Sequence, residues 1–514
     1  MPDRRLAFGA ACLVLVFATA LVAKADEALT PSTISIAELL SRVRKADGVP
    51  SRGAYHIVLR GVADGETSLE ETFSNSQGYR TVETTAGVAS SWGEFQGRQW
   101  YQNPNGFVQH VSGAFAQNDP IENAVRNIGA PGGDATLLGV SAASPAAYVV
   151  QLAPQEGLSE TRYYDAETYL LQRVDVKDYD GRTRIAEYGD YRRISGRMVP
   201  FIRTYRSDFN KGSRRYDVAT YEAVRPESVN LTIPQSRTLF TLQGRDSVTI
   251  PAEFTDDGII VRMDVGQRGL DLLLDSGSSS IVINASVASD LGLALHDKRV
   301  ESFGGLYSLA DASIGDVSIG PLHAATASIN VAPVDEDVAA TKRVVGLLGC
   351  DFIASGALEV DFARKSLTLF AKPPADLVAN GWTQVPISLD DCVPLVKATF
   401  SGAAGEFILD LGAYDTVLYD HYFAQFKANA APAHGDPWIG VGSFIGGDEW
   451  KFQSYSMQTF GIGNLLFADA IVAVPMTKKA QERSYDGLLG RTTMSYFAIL
   501  FDYADGFVYL KPTV

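Results

Sequence analysis

The chain has 514 residues but only three cysteines, at 12, 350 and 392. That is too few for a disulfide-built scaffold, and a Cys350–Cys392 bridge is left open by the sequence. Six histidines are scattered along the chain, with no His-Glu-x-x-His of a zinc peptidase and no Gly-x-Ser-x-Gly of a serine hydrolase. The stretch "GVGSFIGG" lacks the Lys-Ser/Thr of a phosphate-binding loop and the glycine spacing of a dinucleotide fingerprint. Basic charge is also scarce: 44 Lys and Arg against 60 Asp and Glu give a net charge of −16, which argues against nucleic acid and anionic membrane surfaces as partners. After the first two dozen residues no segment is apolar enough to span a bilayer.

Hydrophobic residues make up 46% and charged residues 20% of the chain, the composition of a globular protein. Its 47 glycines and 22 tyrosines suit a turn-rich β protein. The start, "MPDRR" followed by "LAFGAACLVLVFATALVA" and Ala23-Lys24-Ala25, reads as an export signal covering residues 1–25. A periplasmic or secreted protein is therefore expected.

Residues 26–240 form a first region. A helical segment, "SIAELLSRVRKA", precedes alternating apolar and polar stretches such as "AYHIVLRGVADGETSLEETF" and "GYRTVETTAG", which read as antiparallel hairpins. Asp180-Gly181 is a strong turn signal. The strand carrying Asp165 and Thr168, followed by "YGDYRRISGRMVPF", resembles the half-barrel of outer-membrane lipoprotein carriers (LolA-like). That resemblance implies a binding, targeting or spacer domain and a lipid or lipoprotein contact. It supplies no catalytic set.

The remainder contains an internal repeat. At an offset of 135, "IIVRMDVGQRGLDLLLDSGSS" lies over "PLVKATFSGAAGEFILDLGAY", with Asp275 on Asp410 and Gly277 on Gly412. At an offset of 141, "VESFGG" matches "VGSFIGG", and Leu347-Leu348-Gly349 falls on Leu488-Leu489-Gly490. Each copy is a pair of strands, the second ending in an Asp followed two residues later by Gly. A buried lone carboxylate is costly, and the repeat supplies it with a partner.

Two such loops, each with an apolar-apolar-Gly element, resemble the aspartic peptidases, as two retropepsin-like halves fused in tandem over 241–375 and 376–514. The resemblance implies a mainly β, bilobal fold and endopeptidase activity on peptide or protein substrates, with no cofactor and no metal. Asp275 and Asp410 would be the catalytic pair. Ser276 matches the hydroxyl residue that ties the halves together, and Ser278 a position able to hydrogen-bond its neighbouring Asp. Gly277 and Gly412 shape the loops, while Gly304, Gly305 and Tyr307 match a flap over the cleft. Leu411 departs from the pattern, standing where the family has Thr or Ser. A weakened site is therefore expected, and a non-cleaving binding protein on the same scaffold is the alternative.

Overall fold

In the computed structural model, the described residues are 29–48, 54–63, 66–111, 134–142, 145–153, 159–177, 182–209, 212–302, 306–334, 344–427, 430, 432–433, 435–441, 449–476 and 485–513. The export segment, Asp180-Gly181, Gly304, Gly305 and most of "VGSFIGG" lie outside them. The protein is mainly β, and its described residues form three sheets. No helix among the described residues is long and apolar enough to cross a membrane.

Residues 29–224 build one 14-stranded antiparallel sheet. The hairpins read from alternation are present as Ala54–Ala63 with Glu66–Asn75, then Gly78–Thr85, Val88–Phe95 and Arg98–Gln102. The helical segment is Ile36–Asp47, capped by the Ser35 hydroxyl, which accepts from the Glu38 N–H at 3.2 Å. Leu39, Val43 and Asp47 share its buried face, spaced four residues apart. Leu39 and Val43 pack into a core with Val150, Leu152, Tyr164 and Val174.

The second and third sheets repeat one design. In the first copy Ile259–Val265 pairs antiparallel with Arg268–Leu274, which then runs parallel to Val344–Leu348. In the second copy Val393–Phe400, Ala403–Leu409 and Gly487–Leu489 do the same. The antiparallel registers agree throughout, and the parallel ones agree at the ends of the strands that lead into the Asp loops. Val261 faces Leu272 as Val396 faces Phe407, and Leu274 faces Leu348 as Leu409 faces Leu489. The sequence offsets of 135 and 141 are thus offsets of backbone pairing.

The copies join through a shared sheet. Ala357–Asp361 pairs antiparallel with its own counterpart, Phe497–Asp502, and Glu359 lies opposite Leu500, its equivalent at offset 141. A strand that pairs with its own repeat about such a point defines a local twofold axis. Ser247–Ile250 and Thr383–Asp390 flank this sheet at equivalent places. One apolar core runs through both lobes, from Val261 and Leu274 to Phe407, Leu409 and Phe501, and it includes Phe107 of the first region. Cys350 and Cys392 form a disulfide between the lobes, with Cα atoms 5.9 Å apart.

Candidate active site

Each Asp loop begins where a buried strand ends. The Asp275 N–H donates to Leu348 O at 3.1 Å and the Asp410 N–H to Leu489 O at 3.0 Å, so each apolar-apolar-Gly element holds the backbone of its own Asp. Gly349 and Gly490 permit this packing. A Cβ on the first would lie 2.3 Å from Ser278 O, and one on the second 2.2 Å from Asp415 O.

The two loops face each other. A Cβ on Gly277 would lie 2.8 Å from the Asp410 carboxyl carbon, and one on Gly412 would lie 2.5 Å from that of Asp275. Each carboxylate therefore rests over the other loop's glycine, where no side chain larger than hydrogen fits. Asp275 is 9% exposed and Asp410 is partly buried. Each carboxyl acts on the titration of the other.

Burial drives the Asp275 pKa well above the carboxylate range, and the charge of Asp410 adds to the rise. Asp410 is also raised by burial, but two backbone N–H groups offset part of it. Its Oδ1 accepts from the Gly412 N–H at 2.9 Å and the Ala413 N–H at 3.0 Å, whereas Asp275 Oδ1 accepts from the Gly277 N–H at 2.8 Å. This imbalance favours the ionised form on Asp410 and the proton on Asp275. The titration nonetheless belongs to the pair. Such a pair can remove a proton from a water and deliver one to a leaving group.

Ser276 is fully buried and crosses between the lobes. Its hydroxyl donates to Leu409 O at 2.7 Å and accepts from the Leu411 N–H at 2.9 Å. Leu411 has no hydroxyl to return the contact. Its side chain is fully buried in the shared core instead. Ser278 differs from expectation: its hydroxyl donates to Ser280 O, two residues on in the same turn, at 3.0 Å. Tyr307 lies on the strand Leu306–Ile319, opposite Glu301. Burial, then the charge of Glu301, pushes its phenol to about 12.

Sequence reasoning passed over three groups. Arg491 occupies the repeat position of Cys350. Its Nη1 donates to Leu411 O at 3.4 Å and its Nη2 to Asp256 O at 3.2 Å, and its charge favours ionisation of both Asp275 and Asp410. The "LLGC" over "LLGR" alignment was the available signal. Tyr503 has a buried hydroxyl with no hydrogen-bond partner, and burial followed by the charges of Asp275 and Asp410 raises its pKa strongly. Asp351 receives the Ile281 N–H on Oδ2 at 3.1 Å. Among the described residues no cluster of His, Cys, Asp or Glu is arranged to hold a metal ion.

Comparison with known proteins agrees in kind. Residues 261–352, which contain the Asp275 loop and Leu347-Leu348-Gly349, match the aspartyl protease family model Asp_protease_2. Among solved structures, an aspartic proteinase from Irpex lacteus is similar at 16% identity and TM-score 0.35, covering 52% of this chain and 97% of that one. A LolA superfamily protein from Nitrosomonas europaea is similar at 12% identity and TM-score 0.30, covering 38% and 96%. A lipoprotein-sorting protein domain from Vibrio parahaemolyticus gives 12% identity and TM-score 0.30, covering 37% and 94%. At such scores these are likenesses only. No curated protein matches.

Proposed function

We propose that the protein is an exported aspartic endopeptidase, with Asp275 and Asp410 as its catalytic pair. One observation carries this reading: two carboxylates related by an internal repeat, each seated on the other loop's glycine. The family match over residues 261–352 supports it for the first lobe, and the identical strand registers extend it to the second.

In the reaction, a water between the carboxylates loses a proton to the ionised one while its oxygen attacks the peptide carbonyl. The protonated carboxyl supplies the proton that the carbonyl oxygen takes up. Collapse of the tetrahedral intermediate breaks the C–N bond, and the amine leaves with a proton from the pair. The chemistry requires that the two groups share one proton, and burial together with mutual repulsion enforces it.

Asp275→Asn and Asp410→Asn, each assayed on a peptide library from acidic to neutral pH with and without pepstatin, test the proposal. Wild-type cleavage that is blocked by pepstatin and lost in both variants is expected. A wild type that cleaves nothing across this range sinks it. The second reading, a peptidase-fold protein of the periplasm that binds peptide or lipoprotein without turnover, draws on the missing hydroxyl at Leu411. Tight peptide binding without product would favour it.

A further inference from the structure

We infer that the first region is a built-in part of the Asp275 site, and that Asn103 is a positioning residue for the Asp275 loop. The inference rests on the endopeptidase reading and concerns a role that a removable prosegment could not fill.

The contact comes from one hairpin turn. Strands Arg98–Gln102 and Val108–Val111 pair antiparallel, and residues 103–107 connect them. The turn is closed by its own side chain: the Phe107 N–H donates to Asn103 Oδ1 at 3.0 Å, and the Gly106 N–H donates to Asn103 O at 2.9 Å. This leaves the Asn103 amide free to point outward, where Nδ2 donates to Asp351 Oδ1 at 3.0 Å. The other oxygen of Asp351 takes the Ile281 N–H. Asp351 directly follows Cys350, whose N–H donates to Ser278 O at 3.0 Å. Thus the chain of bonds runs from Asn103 through Asp351 to both ends of residues 278–281, the segment leaving Asp275.

Three neighbouring contacts fix the same turn. Phe107, 5% exposed, sits in the core shared by the lobes, its ring 6.5 Å from that of Tyr503, whose hydroxyl is buried near the pair. Asn105 exchanges two hydrogen bonds with the Ser328 backbone, each 2.8 Å. Gln109 Oε1 accepts from the Cys392 N–H at 2.5 Å, at the disulfide that joins the lobes. The connecting segment is fastened as well. Arg237 N–H donates to Gly106 O, Val108 N–H donates to the Ser236 hydroxyl, and Phe240 is fully buried.

Removal of the region would strip the buried Asp351 carboxyl of the Asn103 amide and the influence of the Asn105 amide, and empty the place of Phe107 in the core, and such a loss is severe for a buried polar group. Burial raises Asp351 to about 6, offset in order by the Asn105 amide, the Ile281 N–H and the Asn103 amide, with the charge of Asp391 acting to raise it. Its surroundings from the first region also include Tyr101, which feels the charges of Asp391, Asp351 and Asp311.

Asn103→Asp in the full chain tests the assignment. The new side chain keeps the turn closed, since its oxygen still accepts from Phe107. Against Asp351 it can donate only when protonated. At acidic pH the two carboxyls share a proton and wild-type behaviour is expected, within about threefold in kcat/KM. As pH rises they repel, and two readouts should change together. Backbone amide exchange of peptides covering 278–281 and 350–353 accelerates at least tenfold relative to wild type, and kcat falls on the order of 100-fold. Phe107→Leu is the companion: it loosens the same peptides equally at all pH values. Unchanged exchange at 278–281 in both variants overturns the inference. Exchange that responds as described in a protein whose wild type cleaves nothing leaves the positioning in place and removes the endopeptidase reading instead.

Discussion

The two lobes share one backbone and differ in what holds their Asp loops. In both, the Asp N–H is received by the second Leu of an apolar-apolar-Gly element, and equivalent residues face each other across equivalent strands. The side chains around this frame diverge. The first lobe offers Ser276 to its partner, while the second offers Leu411. After the Leu-Leu-Gly element the first lobe has Cys350, committed to the disulfide, and the second has Arg491, hydrogen-bonded to the Leu411 and Asp256 carbonyls with its charge acting on the carboxylates. Ser279 and Tyr414 also correspond, the latter 58% exposed. Fusion of the halves explains the divergence: once two copies lie in one chain, each contact across the axis need be made only once.

The largest effect should come from the pair itself, because the comparison makes the two Asp residues equal partners in chemistry despite their unequal surroundings. Either Asp275→Asn or Asp410→Asn should lower kcat/KM by about 100- to 10,000-fold or more. Stability should move the other way. A carboxyl whose folded pKa is raised above its unfolded value near 3.9 contributes most favourably at low pH and loses that contribution as pH climbs through the folded value. Asp275→Asn should therefore match wild type in Tm at pH 3 and exceed it at pH 7. A pH-independent Tm difference would show that the pair is not raised in the folded state.

The next effect lies under the loops. Ser276→Ala leaves the buried Leu411 N–H and Leu409 carbonyl without their partner, a cost of roughly 1–3 kcal/mol, measured by denaturant unfolding. Leu411→Ala opens a cavity in the shared core and should cost about 2–5 kcal/mol. Leu411→Thr sharpens the comparison, since its hydroxyl can return the contact that Ser276 makes. It should recover about 0.5–1.5 kcal/mol relative to Leu411→Ala. No recovery would mean that the second loop has closed around an apolar residue and no longer admits the symmetric arrangement.

The degree to which this was readable in the sequence follows the same division. Strand pairing and the repeat were legible because each depends on local pattern: alternation, an apolar run ending in Asp, and a glycine at a fixed distance; the pairing of Asp275 with Asp410 was expected from the family resemblance. The helix Ile36–Asp47 was legible as the segment "SIAELLSRVRKA". Ser278 was misplaced because its partner, Ser280 O, is chosen by turn geometry that the sequence does not print. Contacts across 248 positions, such as Asn103 with Asp351, and across 235, such as Arg491 with Asp256, leave no periodic trace. The Cys350–Cys392 pairing stayed open for the same reason.

Arg491 gives the smallest effect and the most specific one. Its guanidinium is buried, 7% exposed, spans from the second Asp loop to a turn of the first lobe, and lies 5.7 Å from the Tyr414 ring. Burial lowers its own pKa, while Asp410 and other nearby acidic groups act to raise it. It remains a cation through the working range, as any arginine does. A nearby cation favours ionised carboxylates, so Arg491 holds the titration of the pair below where burial alone would set it. Arg491→Gln removes the charge and keeps a hydrogen-bonding side chain. The acidic limb of the kcat/KM profile, which reports ionisation of the first member of the pair, should then move to higher pH by up to about one unit. Arg491→Lys should leave that limb nearly in place while costing stability through the lost fork. Cys350, at the same place in the other lobe, carries no charge in its disulfide, so Cys350→Ser with Cys392→Ser should lower Tm without moving the limb. If Arg491→Gln behaved like that double variant, the arginine would be bracing the loops as the disulfide does, and the lobes would differ in means while sharing one purpose.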